Sequence, residues 1–148
     1  MIGVIAPIVP SPAPLQQLIH GPLDPLPVPP ERGAAVVYGL GSVSDGGRVS
    51  DKRTVEALGW EPRTPVDIRP TEHGALLIRT TTHSAVTITG QGYLRVPYRM
   101  RRRVNLYIGD RLLIAAYPAH GQMALFPPGA LHSLLEPVRS ELVRGDRA

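Results

Sequence analysis

The sequence has no cysteine, so disulfide bonds and thiolate chemistry are excluded. Large aromatic residues are scarce, with one phenylalanine and one tryptophan, whereas seventeen prolines and fifteen glycines interrupt the 148 residues. This composition disfavours long helices and predicts a turn-rich, mainly β chain. The hydrophobic fraction of 43% is still enough for the core of one ordinary domain.

Lysine is almost absent, because fifteen of the sixteen basic residues are arginine. The formal net charge is +4, and its excess lies in residues 84 to 135, where six arginines stand against Asp110 alone. The rest of the chain is close to neutral in each part. A positive field confined to one segment suggests a polyanionic partner. An ordinary solvated surface in an arginine-rich chain remains the alternative.

Residues 1 to 33 are rich in proline, which favours neither helix nor central strand. We therefore expect an extended, mostly disordered arm. The opening MIGVIAPIVP is apolar, but it lacks a basic region and is too short to span a bilayer. We expect a cytoplasmic protein that does not interact with membranes.

Two stretches of the chain share the same order of parts: a first segment at residues 34 to 83 and a second segment at residues 84 to 127. Each has a strand, a glycine turn, a short strand, a short helix, a third strand, a His-Gly turn and a fourth strand. The offset between them is 45 residues at the first glycines, 46 at the helix and 47 at the His-Gly turns. Such small drift indicates a duplication. Neither segment is large enough to bury a core alone, so we expect the two to pack together, or each with a copy from another chain.

The predicted helices span 52 to 58 and 97 to 104, and the predicted strands include 48 to 50, 66 to 69, 75 to 78, 93 to 96, 112 to 116 and 122 to 126. Pro97 suits the first position of the second helix. Met100 and Val104 then share one face of that helix, while Arg99, Arg102 and Arg103 point elsewhere.

Residues 128 to 148 form a tail in which apolar residues recur at helical spacing, namely Leu131, Leu134, Leu135, Val138 and Leu142. This pattern predicts a short amphipathic helix, broken at Pro137. Two interpretations of this helix are open: it packs against the rest of the chain, or it binds in a groove of a partner protein.

No pattern of catalytic or metal-binding residues is present. The five histidines do not occur at ligand spacing, and both His-Gly pairs are better interpreted as hairpin turns. The stretch GLGSVSDGG lacks the third glycine and the Gly-Lys-Ser/Thr of nucleotide-binding loops. We therefore predict no enzyme activity, no cofactor and no metal.

The stretch GYLRVPYRMRRRVNLYIGDRLLI, residues 92 to 114, resembles the swapped-hairpin DNA-binding domain of the AbrB/MazE/SpoVT family. The matching positions are Gly92, Leu94, Val96, Pro97, Met100, Arg101, Arg102, Leu106, Gly109, Asp110 and Leu112. The first segment resembles a degenerate copy, with matches at Gly47, Arg48, Val49, Leu58, Gly59, Trp60, Val66 and Ile68. It departs from the pattern at Asp51, which replaces the proline, and at Arg63 and Thr64, which replace Gly-Asp.

The resemblance implies a mainly β fold with short helices: a duplicated swapped-hairpin AbrB-like β-barrel, with the proline-rich arm before it and a short C-terminal helix after it. Members of the family interlock the hairpins of two copies, usually as homodimers, so a homodimer or higher oligomer is expected. With two copies in one chain, the hairpins could instead interlock within the chain.

The family binds double-stranded DNA, so the resemblance implies a nucleoid-associated transcriptional regulator. Position by position, it directs Arg101, Arg102 and Arg48 towards DNA, with Tyr93 at the place of Arg48 in the second segment. The residues that we predict to contact DNA are Arg48, Tyr93, Arg95, Arg99, Arg101, Arg102 and Arg103. Two alternatives are an antitoxin of the same fold, which would bind its protein partner through the tail or arm, and a scaffold that binds an acidic protein.

Overall fold

A computed structural model describes residues 35 to 145 of the chain. The predicted arm at residues 1 to 33 lies outside the described residues, as do the last three residues of the tail. The strands are β1 (Val37–Ser44), β2 (Arg48–Val49), β3 (Val66–Pro70), β4 (Leu76–Thr80), β5 (Leu94–Arg95), β6 (Arg111–Tyr117) and β7 (Gln122–Phe126). The helices are α1 (Arg53–Ala57), α2 (Tyr98–Arg103) and α3 (Pro128–Gly145), with single 3-10 turns at Asp45–Gly47 and Pro118–His120.

Within the described residues, the seven strands form one antiparallel sheet in the order β3-β4-β7-β6-β1-β2-β5. The sheet curls into a half-barrel. The prediction of a mainly β chain with short helices is therefore confirmed. Both predicted His-Gly turns are also found, since His73 and His120 lie in the β3-β4 and β6-β7 connections, each followed by a glycine with positive φ.

Three of the strand pairs join the first segment to the second. β1 pairs with β6, from Val37 opposite Ala116 to Ser42 opposite Arg111. β2 pairs with β5, and β4 pairs with β7. The strands of the two segments therefore pair with each other within one chain.

The same backbone hydrogen bond occurs at two equivalent places in the fold. The Val43 N–H donates to the Asp110 carbonyl at 3.0 Å, and the Ile88 N–H donates to the Thr64 carbonyl at 3.0 Å. The offsets found in the sequence align Val43 with Ile88, and Thr64 with Asp110. Aligned residues of the two segments thus make the same contact across the sheet.

Left-handed backbone also recurs at aligned positions. Pairs 45 to 47 residues apart with positive φ are Gly47 and Gly92, Gly59 and Asn105, Arg63 and Gly109, and Gly74 and Gly121. Arg63 adopts this conformation, with φ at 71°, although a side chain makes it unfavourable. The backbone path is therefore kept where the first segment departs from the Gly-Asp pattern.

The core lies between the curled sheet and the short helices, and it takes residues from both segments. α1 packs against β1 and β6, whereas α2 packs against β3 and the Asp45–Gly47 turn. On α2, Met100 is partly buried against the core, and Val104 directly after the helix is 6% exposed. The predicted apolar face of this helix is confirmed, and Arg99, Arg102 and Arg103 are exposed.

The prediction of a helix broken at Pro137 is wrong, because α3 runs continuously from Pro128 to Gly145. Proline removes one backbone hydrogen bond, but good helix formers on both sides allow the helix to continue. Glu136 also links turns on either side of the proline, through Arg139 at 3.0 Å and His132 at 3.7 Å. Helix α3 contacts β6 and β7 and buries Ala130 in its first turn.

Two other expectations are corrected. The second strand of each segment is only two residues long, shorter than predicted. Before the glycine turn of the second segment, residues 87 to 89 form no regular strand and make one isolated bridge, between Thr87 and Pro65. None of the helices between residues 35 and 145 has both the length and the apolar character needed to cross a bilayer.

Candidate nucleic-acid interface

The β2-β5 pair at one end of the sheet brings together arginines from both segments. Val49 faces Leu94 across the pair, and both side chains are buried. Because neighbouring strand residues point to opposite faces, Arg48 and Arg95 both project outward, and they are themselves direct cross-strand partners. Like charges at directly opposed positions destabilise a sheet. This end of the sheet therefore concentrates positive charge at some cost in stability.

The glycine turn before β2 fixes where helix α2 begins. The Val96 N–H donates to the Gly47 carbonyl at 2.8 Å. The Arg101 Nε donates to the Val96 carbonyl at 3.0 Å. A Cβ atom on Gly47 would collide with the Val96 carbonyl oxygen and lie 2.9 Å from the Arg101 Nε. The turn of the first segment and the helix of the second segment are consequently held together through Val96.

Two tyrosines lie against the basic side chains. The guanidinium carbon of Arg48 is 4.7 Å from the centre of the Tyr93 ring, and the Lys52 Nζ is 5.0 Å from it. The Tyr98 ring lies 5.5 Å from the guanidinium carbon of Arg101. The Arg48 Nε also donates to the Ser44 hydroxyl at 3.2 Å. Cation–π contacts of this kind limit the freedom of the cations before any ligand arrives.

We call the residues joined by these contacts and pairings the basic surface; they are Arg48, Lys52, Tyr93, Arg95, Tyr98, Arg101 and Arg102. Arg102 belongs to it because its guanidinium carbon is 5.8 Å from the centre of the Tyr98 ring. Arg99 and Arg103 are exposed on the same helix. No hydrogen bond or cation–π contact between residues 35 and 145 connects them to the β2-β5 pair.

Between residues 35 and 145, no ion pair joins a cation of the basic surface to a carboxylate. The ion pairs found in the described part of the chain involve Asp67 and Glu136, which lie elsewhere. Asp110 accepts a hydrogen bond from the Tyr107 N–H at 2.8 Å, so its carboxylate closes the loop before β6. The basic surface is thus available to an external anion.

A groove of about 490 Å³ lies beside α2 and extends the basic surface. Its lining residues are Tyr98, Arg101, Arg102, Asn105, Leu106, Tyr107 and Ile108. Tyr98 is 60% exposed and Tyr107 is 64% exposed, so aromatic faces and arginines are open to solvent together. Such a combination can contact a phosphate and pack against a sugar or a base.

Sequence reasoning identified five residues that the structure brings together in the basic surface: Arg48, Tyr93, Arg95, Arg101 and Arg102. It missed Lys52, Tyr98 and Tyr107. Lys52 lies beside Tyr93 only because β2 pairs with β5, a contact that no local pattern encodes. The alignment of the two segments carried one usable signal, since it places Lys52 at the position of Tyr98.

Outside the basic surface, the side chains give little sign of other chemistry. Among residues 35 to 145, no three histidine, aspartate or glutamate side chains gather into a group that could hold a metal ion. On α3, Arg139 donates a hydrogen bond to Glu136 and thereby lowers the pKa of that carboxyl group. This pair stabilises the helix and does not contribute to the basic surface.

Comparison with protein-family models, with curated proteins and with solved structures finds no match to this chain. Its function must therefore be inferred from its own geometry and charge.

Proposed function

We propose that this protein is a regulator of transcription that binds double-stranded DNA through the basic surface. The observation that carries the proposal is the meeting of Arg48, Arg95 and Arg101 around the Gly47 turn, with no carboxylate paired to them in the described residues. Arginine suits phosphate because its planar guanidinium group can donate two parallel hydrogen bonds.

The cost of the arrangement favours a functional role for these arginines. A solvated surface has no need for two arginines at directly opposed positions, which repel each other. A polyanion removes that repulsion when it binds, because each guanidinium then has a phosphate partner. DNA provides about one negative charge per 1.7 Å of helix axis, so several closely spaced arginines can each pair with a phosphate.

The short length of α2 favours contacts with the DNA backbone over deep insertion into a groove. Its six residues span about 9 Å at the usual helical rise. Its arginines can reach phosphates on either side of a groove, and Arg102 or Arg103 can extend to a guanine edge. Phosphate contacts would position the protein, and a smaller number of base contacts would give it a sequence preference.

For the fold, the proposal includes a duplicated swapped-hairpin arrangement of the AbrB type, in which the two segments of one chain pair with each other. Three observations support it: strands of the two segments pair with each other, aligned residues make the same backbone hydrogen bonds, and left-handed residues recur at aligned positions. In this arrangement, β2 and β5 are equivalent strands of the two segments and pair with each other. The aligned residues Arg48 and Tyr93 therefore come into contact.

The experiment that tests this function is a binding titration with labelled duplex DNA, including the region upstream of the gene. The variant Arg95→Ala/Arg102→Ala/Arg103→Ala, which keeps the Arg101 bond to Val96, should lose most of the affinity. The control variant Arg79→Ala/Arg111→Ala/Arg144→Ala removes the same charge from exposed positions outside the basic surface and should bind nearly as well as the parent protein. Equal losses in both variants, or no binding by the parent protein, would contradict the proposal.

A second candidate function, an antitoxin with the same fold, is favoured by the apolar side chains that α3 leaves exposed. Five of them are between 47% and 65% exposed: Leu134, Leu135, Val138, Leu142 and Val143. An exposed apolar helix face is a common docking element for a protein groove. Coexpression with a toxin-like reading frame next to the gene would test it: growth should be rescued by the parent protein and not by Leu135→Glu/Leu142→Glu.

A further inference from the structure

The two short helices occupy related places in the fold but differ in charge. α1 packs against β6 of the second segment, and α2 packs against β3 of the first segment. The offset of 46 residues aligns Arg101, Arg102 and Arg103 of α2 with Val55, Glu56 and Ala57 at the end of α1. The arginine cluster is therefore present on only one of the two helices.

The residues of α1 cannot take over the role of the missing arginines. Val55 is 1% exposed and belongs to the core. Glu56 is exposed and would repel a phosphate, whereas Lys52, directly before the helix, and Arg53 each add one positive charge. Asp51 adds a further carboxylate at the position that aligns with Pro97. The α1 side of the β2-β5 pair is therefore close to neutral.

The two segments also contribute different side chains to the centre of the basic surface. Arg48 and Tyr93 occupy aligned positions, directly after Gly47 and Gly92. One is a cation and the other is an aromatic ring, and they contact each other at 4.7 Å. A ligand with two equal halves would meet a guanidinium on one side and a ring on the other.

We propose that a single chain binds DNA asymmetrically and recognises one non-palindromic motif, with α2 and the β2-β5 arginines on one side and only weak contact from α1. The inference rests on the proposed function and specifies the class of DNA site that it requires. A protein with two equal basic helices would bind a palindromic site, because the symmetry of a DNA site mirrors that of the protein that binds it. Here the fold brings two related segments together, but only the helix of the second segment has the arginine cluster that can bind DNA strongly.

The number of cations limits the number of phosphates that one chain can neutralise. The basic surface and the two remaining arginines of α2 together have seven: Arg48, Lys52, Arg95, Arg99, Arg101, Arg102 and Arg103. At about 0.9 per phosphate, the slope of log affinity against log salt should not exceed about 6.3 in magnitude for one chain. Two chains on a palindrome would give up to twice that value.

The test is a selection of bound duplexes from a random pool with the full-length protein, followed by measurement of the mass of the complex on the selected duplex. We expect a motif without two-fold symmetry and one chain per motif. A palindromic motif that binds two chains would overturn the inference and leave the proposed function standing. Failure to bind any duplex at low salt would overturn the proposed function, and the inference with it.

A gain-of-function variant provides a second test that does not depend on loss of folding. Glu56→Arg/Ala57→Arg places two arginines at exposed positions of α1. We call the part of the selected motif that α2 contacts the half-motif. The variant should bind a duplex that carries the half-motif and its inverted copy more tightly than a duplex that carries the half-motif alone. The control Glu72→Arg/Thr82→Arg makes the same change in charge at exposed positions outside the basic surface. If both variants gain equally, the effect is only net charge and the inference is overturned.

Discussion

Arg48 and Arg95 lie directly opposite each other on β2 and β5, and their strand neighbours Val49 and Leu94 are buried on the other face. The buried pair fixes the register, so the two arginines cannot move apart by a slip of one residue without exposing the core. Burial of apolar side chains thus holds two like charges in one place. This relationship connects the packing of the sheet to its proposed function.

The variant Arg95→Thr should therefore change stability and DNA binding in opposite directions. Removal of one of two opposed charges should raise the free energy of unfolding by about 0.2 to 1 kcal/mol, and threonine keeps a good strand former at the site. The affinity for DNA should fall. Urea denaturation and a binding titration measure the two effects, with Arg79→Thr as the control on another strand. Loss of stability together with unchanged binding would contradict the proposed role of Arg95.

The variant Gly47→Ala should be more damaging than Gly46→Ala. Both glycines have positive φ, at 84° and 77°, so the backbone strain from an added Cβ is similar, at about 1 to 3 kcal/mol. Only at Gly47 would the added atom also collide with the Val96 carbonyl; at Gly46 the nearest atom is 3.7 Å away. Thermal unfolding of the two variants measures the difference. Equal stability would show that the turn does not pack against Val96.

The ring of Tyr93 should support binding without contacting DNA through its hydroxyl. Tyr93→Leu removes the cation–π contacts to Arg48 and Lys52 and should weaken binding by about two- to fivefold. Tyr93→Phe keeps the ring and should bind like the parent protein. If Tyr93→Phe loses as much affinity as Tyr93→Leu, the hydroxyl group is the DNA contact and the proposed support of the cations is wrong.

The variant Pro137→Ala should stabilise α3. Proline in a helix interior is less favourable than alanine by about 3 kcal/mol, because its ring crowds the preceding turn and it lacks an N–H. Amide hydrogen exchange should slow in the residues around position 137, and the sheet should be unaffected. Unchanged exchange in the helix would indicate that the helix bends enough at Pro137 to avoid the cost.

The local elements could be predicted from the sequence because each has a local cause. The strand at residues 122 to 126 was predicted with the bounds that the structure gives to β7. The apolar face of α2 followed from the spacing of Met100 and Val104. Helix α3 was predicted to break because Pro137 outweighed its neighbours in a local argument, whereas the structure accommodates the proline.

The pairing of the two segments could not be predicted, because the same hydrogen bonds can be satisfied within one chain or between two. Lys52 was overlooked for the same reason: its place beside Tyr93 depends on the β2-β5 pair, which joins residues far apart in sequence. Tyr98 lies on the helix that sequence reasoning did identify, but its ring contacts depend on the side-chain conformations of Arg101 and Arg102.

The salt dependence of duplex binding tests the central claim most directly. It should be measured for the parent protein and for Arg102→Gln/Arg103→Gln, a variant that keeps the Arg101 bond to Val96 and changes only exposed side chains. We predict a steep decrease of affinity with salt for the parent protein, and a slope smaller by about 0.9 for each phosphate contact that the variant loses. Binding that is insensitive to salt, or identical slopes for the two proteins, would contradict the claim that this arginine-rich surface contacts DNA.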